Sequence, residues 1–305
     1  MPQDMLGQTA ALGTAVCWTF TALAFSAAGS RIGSMTVNLI RLVMAVGLLG
    51  AYGWLAHGRA FPLDANAHQW VWLSVSGLVG FTFGDLCLFR AFVVLGPRLS
   101  TLVMSLAPAF AACVGFLLLG ETLEGRDLFG MGLTMLGVGW ASSERRPEVP
   151  LDRGSIAHPP RPTLQGLLLA LGGAAGQGGG LVLSKFGMQD YDPFAATQIR
   201  VVAGIVGFAA VFQALGWWSR VGTALADRRA ILYTSIGAFF GPFLGVSLSL
   251  LAVQHIESGV AASIMAISPI LVIPAVFVVR GERVSWRGVA GAVVAVSGVM
   301  TLFVR

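Results

Sequence analysis

One acid and two bases stand inside segments otherwise too apolar to hold a charge. Asp85 lies some fifteen residues into a long apolar run, and Arg41 and Arg200 occupy corresponding places in two others. At 1.5 Å per residue, Asp85 sits roughly 22 Å along its helix axis. A charge near the centre of a spanning helix costs on the order of 2.5–3.5 kcal/mol, so each needs a partner, water or a ligand. Arg90 follows Asp85 by five residues, about 140° around the helix, and is badly placed to pair with it. Arg41 enters from the membrane face at which the Asp85 helix ends, at about 10 Å depth against about 15 Å for Asp85. An Arg41–Asp85 ion pair is therefore expected, either structural or functional. The residue that matches Asp85 in the second half of the chain is Val246, so Arg200 lacks that acid. A guanidinium so placed suits a substrate carboxylate, which it grips with two parallel N–H groups. Its alternative is to extend toward the nearby interface. Asp85, the one acid placed so deep, is the candidate for proton coupling.

Two prolines mark a second kind of chemistry. Pro108 and Pro269 each fall about eleven residues into an apolar segment. Proline removes a helix hydrogen bond and frees the carbonyl four residues earlier, here that of Met104 and of Met265. Within a bilayer such a carbonyl must find protein, water or ligand, and interrupted helices at matching positions in two halves point to a transport site. A structural kink is the competing reading, and a kink beside a cavity is also a hinge. Gly77, Gly80, Phe81, Gly84 and Asp85 face Gly237, Phe239, Phe240, Gly241, Gly245 and Ser247 in the other half. These glycines permit close backbone approach, and Phe81, Phe239 and Phe240 are candidate cavity walls. Trp18, Thr21, Asn38, Gln177 and Gln198 add polar or amphipathic groups at membrane depth. Glu121 and Glu282 follow glycines at helix ends; a carboxylate suits a helix N-terminus and Gly a C-cap, so both are read as structural. Lys185 and Arg90 lie near helix ends, where a long side chain reaches the interface. The glycine run from Gly172 to Gly180 lacks the Gly-Lys-Ser/Thr of a phosphate loop and is embedded in an apolar segment. It is read as a place where the helix bends or packs tightly. No metal or catalytic constellation is present, no cofactor is expected, and an enzyme is not indicated.

The elements that must hold these residues follow from composition. Of 305 residues 56% are hydrophobic and 11% charged, with a mean hydropathy of +0.80; a soluble domain carries about 25% charge. The chain is expected to be an all-α integral membrane protein. A spanning helix needs roughly 20 apolar residues, and ten such segments occur near 6–28, 33–56, 70–95, 97–119, 126–142, 164–187, 193–216, 229–254, 258–279 and 286–304. Pro108, Gly120-Glu121 and Gly130 recur 161 residues later as Pro269, Gly281-Glu282 and Gly291. The chain is thus a duplicated half-protein: residues 1–142, a polar linker at 143–163, and residues 164–305. An odd number of helices per half forces the second half to enter from the opposite face, which yields two inverted five-helix repeats around a central cavity. That cavity is expected between the two bent fourth helices.

On these residues (Arg41 and Arg200, Pro108 and Pro269, the two Gly-Glu pairs, and Gly130, Gly137, Gly291 and Gly298) the chain resembles the drug/metabolite transporter superfamily in its ten-helix EamA branch. The resemblance spans nearly the whole chain. It implies export or exchange of small metabolites, often amino acids, by alternating access, and aromatic amino acid exporters are a looser match. Other readings are exchange of phosphorylated or nucleotide-sugar metabolites, which needs Arg41, Arg90, Lys185 and Arg200 to converge, and multidrug export, which the acid-free first segment disfavours. The expected partners are a small-molecule substrate and the lipid bilayer, without nucleic acid, and the expected state is a monomer. Loops after odd-numbered segments hold most arginines, so the positive-inside rule puts them in the cytoplasm and both termini outside. A bacterial inner membrane is the expected location.

Overall fold

The computed structural model describes residues 3–142, 163–271 and 286–303. Helix satisfies each backbone group within its own segment, the requirement that lipid imposes on a spanning chain. The first half comprises α1 Gln3–Ile32, α2 Ser34–His57, α3 Ala67–Gly77, α4 Asp85–Val94, α5 Pro97–Met104, α6 Ala107–Leu119 and α7 Gly125–Ser142. The second comprises α8 Leu164–Met188, α9 Pro193–Leu215, α10 Trp218–Ala226, α11 Arg228–Ala238, α12 Val246–His255, α13 Ser258–Met265 and α14 Trp286–Phe303. Each of the ten apolar segments carries a helix in its described part. Seven helical stretches are long and apolar enough to cross a membrane, and Ser258–Leu271 and Gly288–Phe303 are shorter apolar helices. Most of the linker, and Gly281-Glu282 with several arginines used for the orientation argument, lie outside the described residues.

Two features depart from the plain ten-segment pattern. Between α9 and α11 the chain forms α10, nine residues long, with Trp218 half-exposed and the Arg220 guanidinium 4.5 Å from the centre of the Trp217 ring. Within the third and eighth segments, α3 passes into α4 and α11 into α12 through seven-residue π-helical stretches, Leu78–Gly84 and Phe239–Gly245. The two stretches stand at the same 161-residue offset as the prolines. Each contains glycines four apart, and the second contains Pro242. π-Helical turns inside α-helices are frequent at functional sites.

The main helix pairings join one half to the other, and the equivalent helices among them run antiparallel. Along α7 and α14, Gly130 faces Leu302, Gly137 faces Ala295, and Gly291 faces Ala141. Near the end of α2, Tyr52 stacks on Phe194 from the start of α9, with ring centres 4.2 Å apart. Equivalent helices that meet head to tail are what an inverted repeat requires. The α7–α14 contact depends on small residues: a Cβ on Gly298 would collide with Thr134 and Gly130, and one on Gly291 would stand 2.6 Å from the Ala141 nitrogen. Gly298→Val is expected to cost about 1–3 kcal/mol by overpacking, seen as a lower unfolding temperature in detergent.

Candidate functional site

Both fourth segments break beside their prolines. α5 ends at Met104 and α6 resumes at Ala107; α13 ends at Met265 and helix resumes at Ser268. The break is repeated bond for bond. Leu106 N–H donates to Val103 O (3.0 Å) and Phe110 N–H to Leu106 O (3.2 Å), as Ile267 does to Ile264 (3.3 Å) and Leu271 to Ile267 (3.2 Å). The surroundings differ from the expected shared polar pocket between these helices. Pro108 is buried, but Pro269 is exposed, and Met265 is packed into an apolar cluster with Ala10, Ala15 and Ile264. The break in the ninth segment meets α1 instead: the Ser268 hydroxyl donates to Ala15 O (3.0 Å). The reason is packing, because the small residues of α1 leave room for that helix to close in.

The charged residues gather around the first π stretch. Arg41 Nη2 donates to Asp85 Oδ2 at 2.5 Å, with the two side chains 15% and 8% exposed. Gln177 Nε2 donates to the other Asp85 oxygen at 3.1 Å, so α2, α4 and α8 meet at one carboxylate. The glycine run of α8 provides this approach: a Cβ on Gly176 would stand 2.7 Å from Gly84 Cα, and one on Gly180 would stand 2.9 Å from Gly80 Cα. The Arg41 guanidinium also lies 5.2 Å from the centre of the Phe25 ring.

Arg200 is 5% exposed and so does not extend to the interface. Its guanidinium stands 5.1 Å from the centre of the Phe81 ring, beside Gly80. Among the described residues no carboxylate lies within ion-pair distance of it, and its Nε is buried without a hydrogen bond. Val246, where the other half has an acid, is buried in the apolar cluster with Phe81 and Leu42. Asn38 Nδ2, Arg41 Nε, Thr82 Oγ1 and Ser247 Oγ are likewise buried without partners. These orphaned atoms all belong to the second, third, seventh and eighth segments. A buried polar atom left unbonded costs about 1–3 kcal/mol, a cost that a polar ligand or water can offset.

The second π stretch has an aromatic setting. Along it, Gly245 faces Trp18, Gly241 faces Thr21, and Gly237 faces Phe25. Phe20, Phe240, Phe239, Phe243, Phe194 and Tyr52 form an unbroken chain of ring contacts, with centres 4.2–5.8 Å apart at each step. The two halves have thus diverged: where α1 has Trp18, Thr21 and Phe25, α8 has Gln177, Gly180 and Ser184. One π stretch faces polar and small groups, the other faces rings. Sequence reasoning missed Phe25, Tyr52 and Phe194; the matched glycine pairs four apart were the one signal that marked their surroundings.

Other sequence expectations are corrected at one face. Lys185 does not reach outward: its Nζ donates to Glu121 Oε1 (2.7 Å) and Ile256 O (2.8 Å). Glu121 does not serve the helix that follows it but accepts from Ser258 N–H (2.9 Å) and Ser258 hydroxyl (3.0 Å) at the start of α13. Gly120, with φ of 64°, turns the chain, and Gly115 leaves the space that the carboxylate fills. Glu121→Ala is expected to cost about 1–3 kcal/mol, since it leaves donors on Ser258 and Lys185 unpaired; thermal unfolding in detergent reads this out. Gln198 also lies apart from the Arg200 environment. It donates to Ala60 O (2.9 Å) and lines a cavity of about 70 Å³ with Tyr52, His57, Arg59, Asp64, Tyr191 and Asp192. Slight burial opposes charge on Asp64, but the Tyr191 hydroxyl, its own backbone, Arg59 and His57 hold it below the usual carboxylate range. Burial and the Asp64 carboxylate push the Tyr191 phenol above its usual range. Among the described residues there is no metal-ligand cluster.

The EamA-like transporter family model matches residues 5–143 and again 164–304. An uncharacterised transporter of Haemophilus influenzae is 25% identical over 143 residues, which are 47% of this chain and 46% of that protein. The threonine/homoserine exporter RhtA of Escherichia coli K12 is 31% identical over 134 residues, 42% of each chain. These matches span less than half the length of either relative. A solved crystal structure aligns over 99% of this chain and 97% of its own with a TM-score of 0.65 at 16% identity, a likeness of fold.

Proposed function

This chain belongs to the EamA-like transporter family, and from that premise we propose that it exports or exchanges small amphiphilic amino acids by alternating access. The observation that carries the reading is Arg200: a buried guanidinium on an aromatic ring, with no carboxylate among the described residues in reach. The substrate's carboxylate completes it, and the rings of Trp18, Phe239 and Phe240 offer a wall for the apolar part. The RhtA likeness supports amino acids as the class. Convergence of four bases on a phosphorylated substrate has no such support, since Arg41 and Lys185 already pair with Asp85 and Glu121 and Arg90 is exposed. The breaks of the fourth and ninth segments and the two π stretches supply hinges at matching places. The positive-inside rule puts the loops after α2, α6, α8 and α12 outside, in a bacterial inner membrane.

Counterflow in proteoliposomes tests the reading. Vesicles preloaded with unlabelled threonine, homoserine, leucine or phenylalanine should transiently accumulate the labelled amino acid, with saturation. Absence of counterflow across all four would overturn the amino-acid assignment.

A further inference from the structure

We propose that the cavity between the loop after α2 and the turn before α9 is a second binding site, which takes the zwitterionic head of an α-amino acid. The proposal rests on the amino-acid reading and adds a station at one mouth of the protein, away from Arg200. Nothing in the Arg41–Asp85–Gln177 constellation requires it.

Size and charge carry the assignment. A volume of about 70 Å³ admits roughly five to seven water-sized groups at 10–15 Å³ each. The head of an amino acid has five heavy atoms: the nitrogen, Cα and the carboxylate. The lining bears both signs of charge, Arg59 against Asp64 and Asp192, with the His57 imidazole beside them. Asp64 is held in place by the Tyr191 hydroxyl (2.9 Å), and one Asp192 oxygen caps α9 by accepting from Ala195 N–H (2.8 Å). The ammonium group matches the two carboxylates, and the carboxylate matches Arg59. The Arg59–Asp64 pair is 3.2 Å long and its side chains are 55% and 41% exposed. Such an exposed pair contributes little, so a zwitterion can part it while giving each charge a new partner.

A place for the side chain adjoins the head site. An apolar groove runs along Val46, Gly47, Gly50, Ala51 and Trp54, and it shares Phe61 and Gln198 with the cavity. Tyr52 in the cavity wall is also the end of the aromatic chain that reaches Phe20 of α1. The site therefore lies at the end of a continuous row of ring faces leading from the second π stretch. A zwitterionic phospholipid offers similar head chemistry, its ammonium to the two carboxylates and its phosphate to Arg59, and the lipid composition of the test vesicles separates the two.

The test uses the full chain in liposomes and measures half-saturation separately from each face. Arg59→Gln is expected to raise half-saturation for leucine at least fivefold from the face bearing this cavity. The value from the opposite face should stay within twofold. Leucinamide, which lacks the carboxylate, should be spared by Arg59→Gln, and Asp64→Asn should weaken leucine and leucinamide together. Equal effects on both compounds with Arg59→Gln would reduce the cluster to a loop tie and overturn the proposal. So would unchanged half-saturation in both variants while the wild type still exchanges leucine, a result that leaves the transport reading intact. Variant effects present only in vesicles containing phosphatidylethanolamine would make this a lipid site instead. If the wild type exchanges none of the four amino acids, the transport reading fails first and this proposal with it.

Discussion

Arg200→Gln should raise the KM for an amino acid roughly tenfold to a hundredfold while sparing the corresponding amide. A hydrogen bond to a charged group contributes about 1.5–3 kcal/mol, and about 1.4 kcal/mol is a factor of ten. The guanidinium has no carboxylate partner among the described residues, so a neutral replacement breaks no internal ion pair. The variant should fold, and its defect should follow the charge of the substrate. Arg200→Lys should rescue poorly, because a single ammonium lacks the planar fork and the stacking on Phe81. Measured KM values for the acid and its amide decide the matter; an equal loss for both would show that Arg200 only supports the fold.

The Arg41–Asp85 pair predicts the opposite pattern. Breaking a buried ion pair from one side costs about 3–5 kcal/mol, whereas removing both charges is often near neutral. Arg41→Gln alone should therefore lower the unfolding temperature sharply, and Arg41→Gln with Asp85→Asn should recover most of the loss. Asp85→Asn is further expected to abolish any proton-driven component of transport while leaving counterflow, which needs no gradient. Retention of proton-driven uptake in that variant would remove Asp85 from the coupling step. Gln177, the third member, donates to the same carboxylate. In the Asp85→Asn variant it still finds an acceptor once the new amide turns its oxygen toward it.

Much of this architecture was legible in the chain because it depends on periodicities that survive without contacts. The 161-residue offset predicted two halves, the odd helix number predicted their inversion, and depth along two helices predicted that Arg41 meets Asp85. The proline breaks were legible too, since a missing N–H has the same consequence in any surroundings. The location of the polar centre was not. Pro269 and Met265 looked equivalent to Pro108 and Met104, yet one is exposed and the other lies in an apolar cluster. Lys185 looked like an interfacial anchor and is instead bound to Glu121 and Ile256.

What the sequence determined alone was therefore the order of the ten apolar segments and their division into two inverted halves, together with which charges lay too deep to be idle. These follow from the length of apolar runs and from the cost of charge in lipid, properties that each segment carries by itself. What only the tertiary structure decided was which faces turn toward one another. Gly84 meets Gly176 and Gly245 meets Trp18 because helices close until a side chain stops them. That stopping residue differs between the halves, so one π stretch became polar and the other aromatic. A one-residue rotation of a helix changes its face by about 100°. Facing is thus a property of the whole packing, and the pairing of Arg41 with Asp85, the isolation of Arg200 and the cavity at Gln198 depend on it.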